Sequence, residues 1–220
     1  MVVKAEDTFT EASDTNLENH TPSPTGTAWV VKTAARLFIQ GDLDAVNNIE
    51  ADAVRYPGRE TTDIGDDDMD ITGVLEMQDT DDIGNTQFCG ICARMTSANF
   101  DNYYTARIVD DAGGGDVTLR LFKIIGGSAT ELGTGFSLSG LGPFTVKLEI
   151  RSGTQKVFEN AIERISATEA DTVLQGNQFG GLENSDEDEL NPLIDDYKSE
   201  SVAAPPAARR RYPQIIKLDY

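Results

Sequence analysis

Between residues 144 and 150 apolar and polar side chains alternate strictly: Phe144, Val146, Leu148 and Ile150 against Thr145, Lys147 and Glu149. A period of two puts successive side chains on opposite faces of an extended chain, so this stretch predicts a strand with one face in a core and one in water. Similar short runs bounded by turn residues recur along the chain. Trp29-Val30-Val31, Leu37-Phe38-Ile39, Met69 to Met77, Tyr103 to Ile108, Val117 to Ile124 and Lys156 to Asn160 all read as strands. Phe88 to Met95 reads as an interior strand, with Ile91 and Ala93 alternating against Cys92 and Arg94. Gly126-Gly127 and Ser152-Gly153 supply the positive-φ positions that hairpins need. From Asp42 to Val54 two readings stand: a helix capped by Asp42 that carries Leu43, Val46 and Ile49, or short strands separated by Asn47-Asn48.

A chain of 220 residues with 39% hydrophobic content can bury one substantial core, and its 20 glycines fit many turns and few long helices. The formal charge of −20 argues against nucleic acid as a partner, since phosphate recognition needs a basic footprint. No long apolar span predicts membrane insertion, and no apolar core follows a basic start to predict an export signal. Aspartate exceeds glutamate and arginine exceeds lysine, a surface that stays hydrated and self-repelling. A high-salt host is one reading of that surface and simple solubility is the other. Cys89 and Cys92 are the only cysteines and His20 the only histidine, so a zinc set lacks ligands. Residues three apart on a strand face opposite ways, which predicts two buried, unpaired thiols.

The run Asn99-Phe100-Asp101-Asn102-Tyr103-Tyr104, the glycine turns and the strand at 144–150 resemble the central part of a concanavalin A-like (laminin-G-like) jelly roll. Asp7-Thr8-Phe9, a polar loop with Pro22, Pro24 and Gly26, and then Trp29 resembles the start of such domains in tailed-phage structural proteins. Asp195-Asp196-Tyr197 resembles their closing strand. The resemblance implies an all-β antiparallel sandwich over residues 1–202, and it favours short strands between 42 and 54. It also implies a non-enzymatic virion structural protein made in a host cytoplasm, a head decoration, turret or tail module, whose partners are other virion proteins and copies of itself. The alternative is a carbohydrate-binding adhesin that recognises host-surface glycans. Laminarinase-type glucanases share this fold and set Glu-x-Asp-x-x-Glu on one strand. No stretch here has that spacing, and two cooperating carboxylates are what glycoside hydrolysis requires.

Three sets of residues carry the candidate chemistry. Asn99, Asp101, Asn102 and Tyr103 join an aromatic ring to hydrogen-bonding groups, as a glycan site does; Tyr104 is expected in the core and Tyr103 on the outer face. Asp66, Asp67, Asp68, Asp81, Asp82, Asp110 and Asp111 could hold calcium at loop tips, but only if the fold gathers them. The loop beginning at Asp79 lacks the bidentate glutamate of an EF-hand. Finally, Ala203 to Ala208 reads as an extended linker into residues 209–220. There Arg209, Arg210 and Arg211 precede Tyr212, Ile215, Ile216, Lys217, Leu218 and Tyr220, a basic strand suited to anchoring on a partner's sheet edge.

Overall fold

The computed structural model describes residues 1–20, 24–25, 28–41, 43, 45–48, 55–78, 87–96, 100–110, 116–185 and 192–202. These form two antiparallel sheets packed face to face. The first sheet runs in spatial order through β16 (Ile162–Thr168), β15 (Thr154–Glu159), β14 (Phe144–Arg151), β8 (Met69–Met77), β18 (Pro192–Ser201), β6 (Ala45–Asn48), β5 (Leu37–Gln40) and β2 (Thr15–Asn16). Beside the second half of β18 lies β1 (Val2–Asp7), which also pairs with β3 (Pro24–Thr25). The second sheet runs β12 (Ser128–Glu131), β11 (Thr118–Ile125), β10 (Tyr103–Asp110), β9 (Gln87–Met95), β17 (Phe179–Ser185), β7 (Tyr56–Glu60) and β4 (Trp29–Val31). The short β13 (Phe136–Ser137) pairs with β11. Helical structure among the described residues is a single 3-10 turn, Leu17–Asn19.

Alternation builds the core. On β8 and β14 the inward set is Met69, Ile71, Leu75, Met77, Phe144, Val146, Leu148 and Ile150. Cys89, Ile91, Ala93, Tyr104, Ala106, Ile108, Leu119 and Leu121 meet it from the second sheet. Each large apolar side chain taken out of water contributes about 1.5–3 kcal/mol, which makes the registry of the facing strands costly to change. The hairpin turns form where positive φ is available: Gly126 and Gly127 at 57° and 79°, Ser152 and Gly153 at 39° and 91°.

Between 42 and 54 the described residues show a strand, Ala45–Asn48, with Asn47 and Asn48 inside it rather than separating two strands. Four strands carry no clean periodic signal: Val2–Asp7, Tyr56–Glu60, Ile162–Thr168 and Phe179–Ser185. The Asp-x-Phe and Trp elements meet in space. Asp7 Oδ2 accepts the Trp29 indole N–H at 2.8 Å, while Oδ1 accepts the Phe9 amide at 3.0 Å and lies 2.9 Å from His20 Nε2. Phe9 packs on Trp29, and Trp29 meets Tyr197 edge-on at 4.9 Å. The motif therefore locks the first strand against the last. Its role is structural.

A second buried carboxyl ties the two sheets together. Glu60, on β7, accepts hydrogen bonds from Tyr197 Oη at 3.2 Å and Ser199 Oγ at 3.0 Å, both on β18, and from the Gly180 amide at 3.1 Å. Gly180 is close enough that a Cβ there would collide with Tyr197 Oη and Glu60 Oε1. Burial pushes the Glu60 carboxyl up from 4.5 to about 7, and the hydrogen bonds from Ser199, Gly180 and Tyr197 offset part of that rise.

A carboxyl with a raised folded pKa holds its proton more tightly when folded. Its contribution is therefore complete below the unfolded pKa and is lost as pH climbs through about 7. Urea unfolding between pH 4.5 and 8 should show Glu60→Gln gaining stability relative to the parent by up to about 3 kcal/mol across that window. Parallel pH profiles for the two proteins would refute this role.

Candidate functional site

The outward faces of the two sheets differ. On the first sheet cations and carboxylates pair: Lys147 Nζ with Glu149 at 2.5 Å, Arg151 Nη2 with Asp70 at 2.5 Å, Lys156 Nζ with Glu163 at 2.7 Å, and Lys198 Nζ with Glu200 at 3.2 Å. Such ladders are an ordinary hydrated surface, and each exposed pair contributes only about 0–1 kcal/mol. One ring, Phe158 under Lys147 at 4.5 Å, lies among them, whereas the outward face of the second sheet adds several aromatic rings stacked on arginines to its ion pairs.

That face is organised around Gly90, at the centre of β9. In the sheet register Gly90 lies opposite Arg107 of β10 on one side and Glu183 of β17 on the other. A Cβ at Gly90 would lie 2.9 Å from Arg107 Cγ and 3.0 Å from Thr105 Oγ1. The missing side chain is what lets the guanidinium and the carboxylate bridge over the strand. Glu183 is fully buried. Its Oε1 accepts from Arg107 Nε at 2.5 Å and Thr105 Oγ1 at 2.5 Å, and its Oε2 accepts from Arg107 Nη2 at 3.0 Å and Tyr103 Oη at 2.6 Å. Arg55 Nε adds positive charge 3.8 Å from Oε2.

Burial alone would raise the Glu183 carboxyl; the charges of Arg107 and Arg55, with the Arg107 and Thr105 hydrogen bonds, hold it below the usual glutamate range. Burial likewise works against the Arg107 charge, and Glu183 more than restores it. Both partners stay ionised.

The bridge fixes the rings beside it. Arg107 Cζ sits 4.1 Å from the Phe88 ring centroid and 4.8 Å from that of Phe122, so the cation lies against two half-buried phenyl groups. Toward the other end of the sheet Arg59 stacks on Phe179 at 4.4 Å, with Phe100 at 6.0 Å. Beneath them Cys92, Met95, Tyr103 and Ile124 form a small apolar cluster of their own. The arrangement offers ring faces and edges beside guanidinium donors, the equipment for holding a flat, hydroxyl-rich molecule by stacking and hydrogen bonds. A hollow of about 450 Å³ near Phe136, Leu138 and Phe144 is lined by a smaller arrangement of the same kind, Arg164 on the Phe136 ring at 4.3 Å and 3.0 Å from Glu159 Oε2.

The residues expected from the sequence fall elsewhere or serve other ends. Tyr103 does lie on the outer face and Tyr104 in the core, but Tyr103 is fully buried and donates to Glu183, so it is not the open platform expected of it. Asp101 Oδ1 accepts from Lys32 Nζ at 2.6 Å, and its carbonyl accepts the Gly127 amide. Asn102 Oδ1 accepts the Gly126 amide at 2.8 Å. The Asn102 side chain and the Asp101 carbonyl brace the β10–β11 turn. Asn99 lies outside the described residues, as do Asp81, Asp82, Asp111 and the anchoring set Arg209, Arg210, Arg211, Tyr212, Ile215, Ile216, Lys217, Leu218 and Tyr220.

The fold separates the calcium loops that are described. The Asp67 carbonyl accepts Arg94 Nε and Nη2 near the end of β9, whereas Asp110 pairs with Gln87 at its beginning. Asp66 Oδ1 accepts the Asp68 amide, and Asp68 Oδ1 accepts the Ser152 amide. Among the described residues no group of three or more His, Cys, Asp and Glu side chains is placed to hold a metal ion. Glu183, Arg107, Thr105, Phe88, Phe122, Arg59 and Phe179 were missed. The signal that could have found some of them is the polar outward set Tyr103, Thr105 and Arg107 on an otherwise apolar strand, facing a strand with glycine at its centre.

No protein-family model and no curated protein matches this chain. Solved structures do. The carbohydrate-binding module CBM66 from Bacillus subtilis superposes with a TM-score of 0.55 at 12% identity, covering 80% of this chain and 98% of the module. The fold is a concanavalin A-like and galectin-like sandwich. The VIP36 exoplasmic/lumenal domain in its Ca2+/Man2-bound form matches with a TM-score of 0.55 at 10% identity, covering 87% of this chain and 88% of that one. A GH43 protein from Bacillus licheniformis, BlXynB, matches with a TM-score of 0.53 at 11% identity, over 90% of this chain but 39% of its own.

Breaking the bridge from one side should be costly. Arg107→Met leaves a buried carboxylate with only the more distant Arg55 as a cation and is expected to lose about 3 kcal/mol in urea unfolding, whereas the double variant Arg107→Met/Glu183→Leu recovers much of that loss. Additive single and double losses would contradict this account.

Proposed function

We propose that this chain is a non-catalytic carbohydrate-binding module that takes its ligand on the outward face of the second sheet. One observation carries the reading: on this face Arg107 is held against the Phe88 and Phe122 rings by a buried carboxylate whose two oxygens each accept two hydrogen bonds. Rigid aromatic groups beside fixed donors bind with little ordering cost, because their rotamers are already set. Supporting it, the superposing structures include one named as a carbohydrate-binding module and one named as a Ca2+/Man2-bound form. The fold alone does not decide function, since it also matches 39% of the GH43 protein BlXynB. The expected placement in a virus particle draws its support from the phage resemblance and from residues 203–220, not from the sandwich.

A calorimetric screen of the full chain against neutral and acidic oligosaccharides is the test. At least one class should bind, and Phe122→Ala and Phe88→Ala should each weaken it about tenfold, ~1.4 kcal/mol, without unfolding the protein. A folded protein that binds none of them would end this proposal.

A further inference from the structure

Resting on that carbohydrate-binding reading, we propose that the ligand is an acidic saccharide and that Arg59 receives its carboxylate. The starting observation is an imbalance. On the outward face of the second sheet Arg107 is matched by Glu183, Arg120 by Glu131 Oε2 at 3.0 Å, and Lys32 by Asp101 at 2.6 Å. Arg59 is not matched: among the described residues no carboxylate oxygen lies within ion-pair distance of it, and its hydrogen bond runs from Nη1 to the Glu60 carbonyl at 3.0 Å. The neighbouring Glu60 carboxyl points the other way, into the core, where Tyr197, Ser199 and Gly180 occupy it.

The setting of Arg59 suits an anion. Its guanidinium lies on Phe179, with Phe100 at its flank, and stacking on a ring fixes the guanidinium plane while leaving the remaining N–H groups directed along that plane. That fork matches the two oxygens of a carboxylate. Half-burial also strips water from the charge, so the group gains more from an arriving anion than a fully hydrated lysine would. Arg55 precedes the same strand on the same face and lies over the Tyr103 ring, about 13 Å along the chain from Arg59 at the strand rise.

The overall charge of −20 does not forbid such a ligand. Beyond about 8 Å at physiological salt the field of distant acids is largely screened, and the local arginines govern. A neutral sugar would leave Arg59 unmatched, so the carboxylate is the part of the ligand that the face selects.

The test uses oligogalacturonate, hyaluronan fragments and sialyllactose, each against its carboxyl-reduced counterpart, titrated into the full chain. At least one acidic form should bind about tenfold or more tightly than its reduced form, and added NaCl should weaken the acidic form alone. Arg59→Lys keeps the charge and stem but loses the fork; it should cost about tenfold on the acidic form, several-fold more than it costs on the reduced form, and melt like the parent. Equal affinity for acidic and reduced forms, or indifference to Arg59→Lys, would overturn the carboxylate assignment and leave the carbohydrate reading standing. If neither form nor any neutral glycan bound, both would fall. Binding of poly-glutamate as tight as that of the best acidic sugar would also overturn the proposal, because the face would then be reading peptide carboxylates.

Discussion

Burying a carboxylate away from water is tolerable only when each of its oxygens is met by donors, and preferably by a cation. Glu183 satisfies that demand by drawing Tyr103, Thr105 and Arg107 into one arrangement, and Arg107 in turn sits against Phe88 and Phe122. The consequence spreads across four neighbouring strands. Gly90 has to lack a side chain, the register of β10 and β17 on either side of β9 has to hold, and the rings on the surface inherit their positions from a charge beneath them. A binding face built this way is rigid before any ligand arrives, which is where affinity is most cheaply gained.

The sandwich was legible because alternation is a local signal. The strand at Phe144–Arg151 shows it without interruption, and Met69–Met77 and Tyr103–Asp110 show enough of it to be placed. What stayed hidden were strands whose residues answer to distant neighbours. Tyr56-Pro57-Gly58-Arg59-Glu60 has no simple period, since Gly58 faces Leu17 and Leu37 closely and Glu60 is retained inside by partners on β18. Phe179-Gly180-Gly181-Leu182 looks like a turn in one dimension. In the fold both glycines are there because Tyr197 and Met95 press against the backbone.

The candidate site was less legible still, and for the same reason. Its parts are scattered over β7, β9, β10, β11 and β17, and only the register of a sheet assembles them. The contiguous cluster Asp101-Asn102-Tyr103 is compact in sequence, yet Asp101 pairs with Lys32, Asn102 shapes a turn and Tyr103 donates to a buried acid. Conversely, Asp7, Phe9 and Trp29 stand out as a motif because the closure of the sandwich depends on them. Sequence compactness tracked local geometry in both cases, not ligand chemistry.

Cys89 and Cys92 are both unpaired and fully buried, and burial pushes both thiols well above the ordinary range. They nevertheless face opposite sides of β9, Cys89 between the sheets and Cys92 under the aromatic cover of the second. The molecule thus contains two silent reporters at neighbouring addresses. An alkylating probe would reach Cys89 only when the two layers part, and Cys92 as soon as the outer shell alone lifts, so peeling of the recognition face and global opening leave separate chemical records.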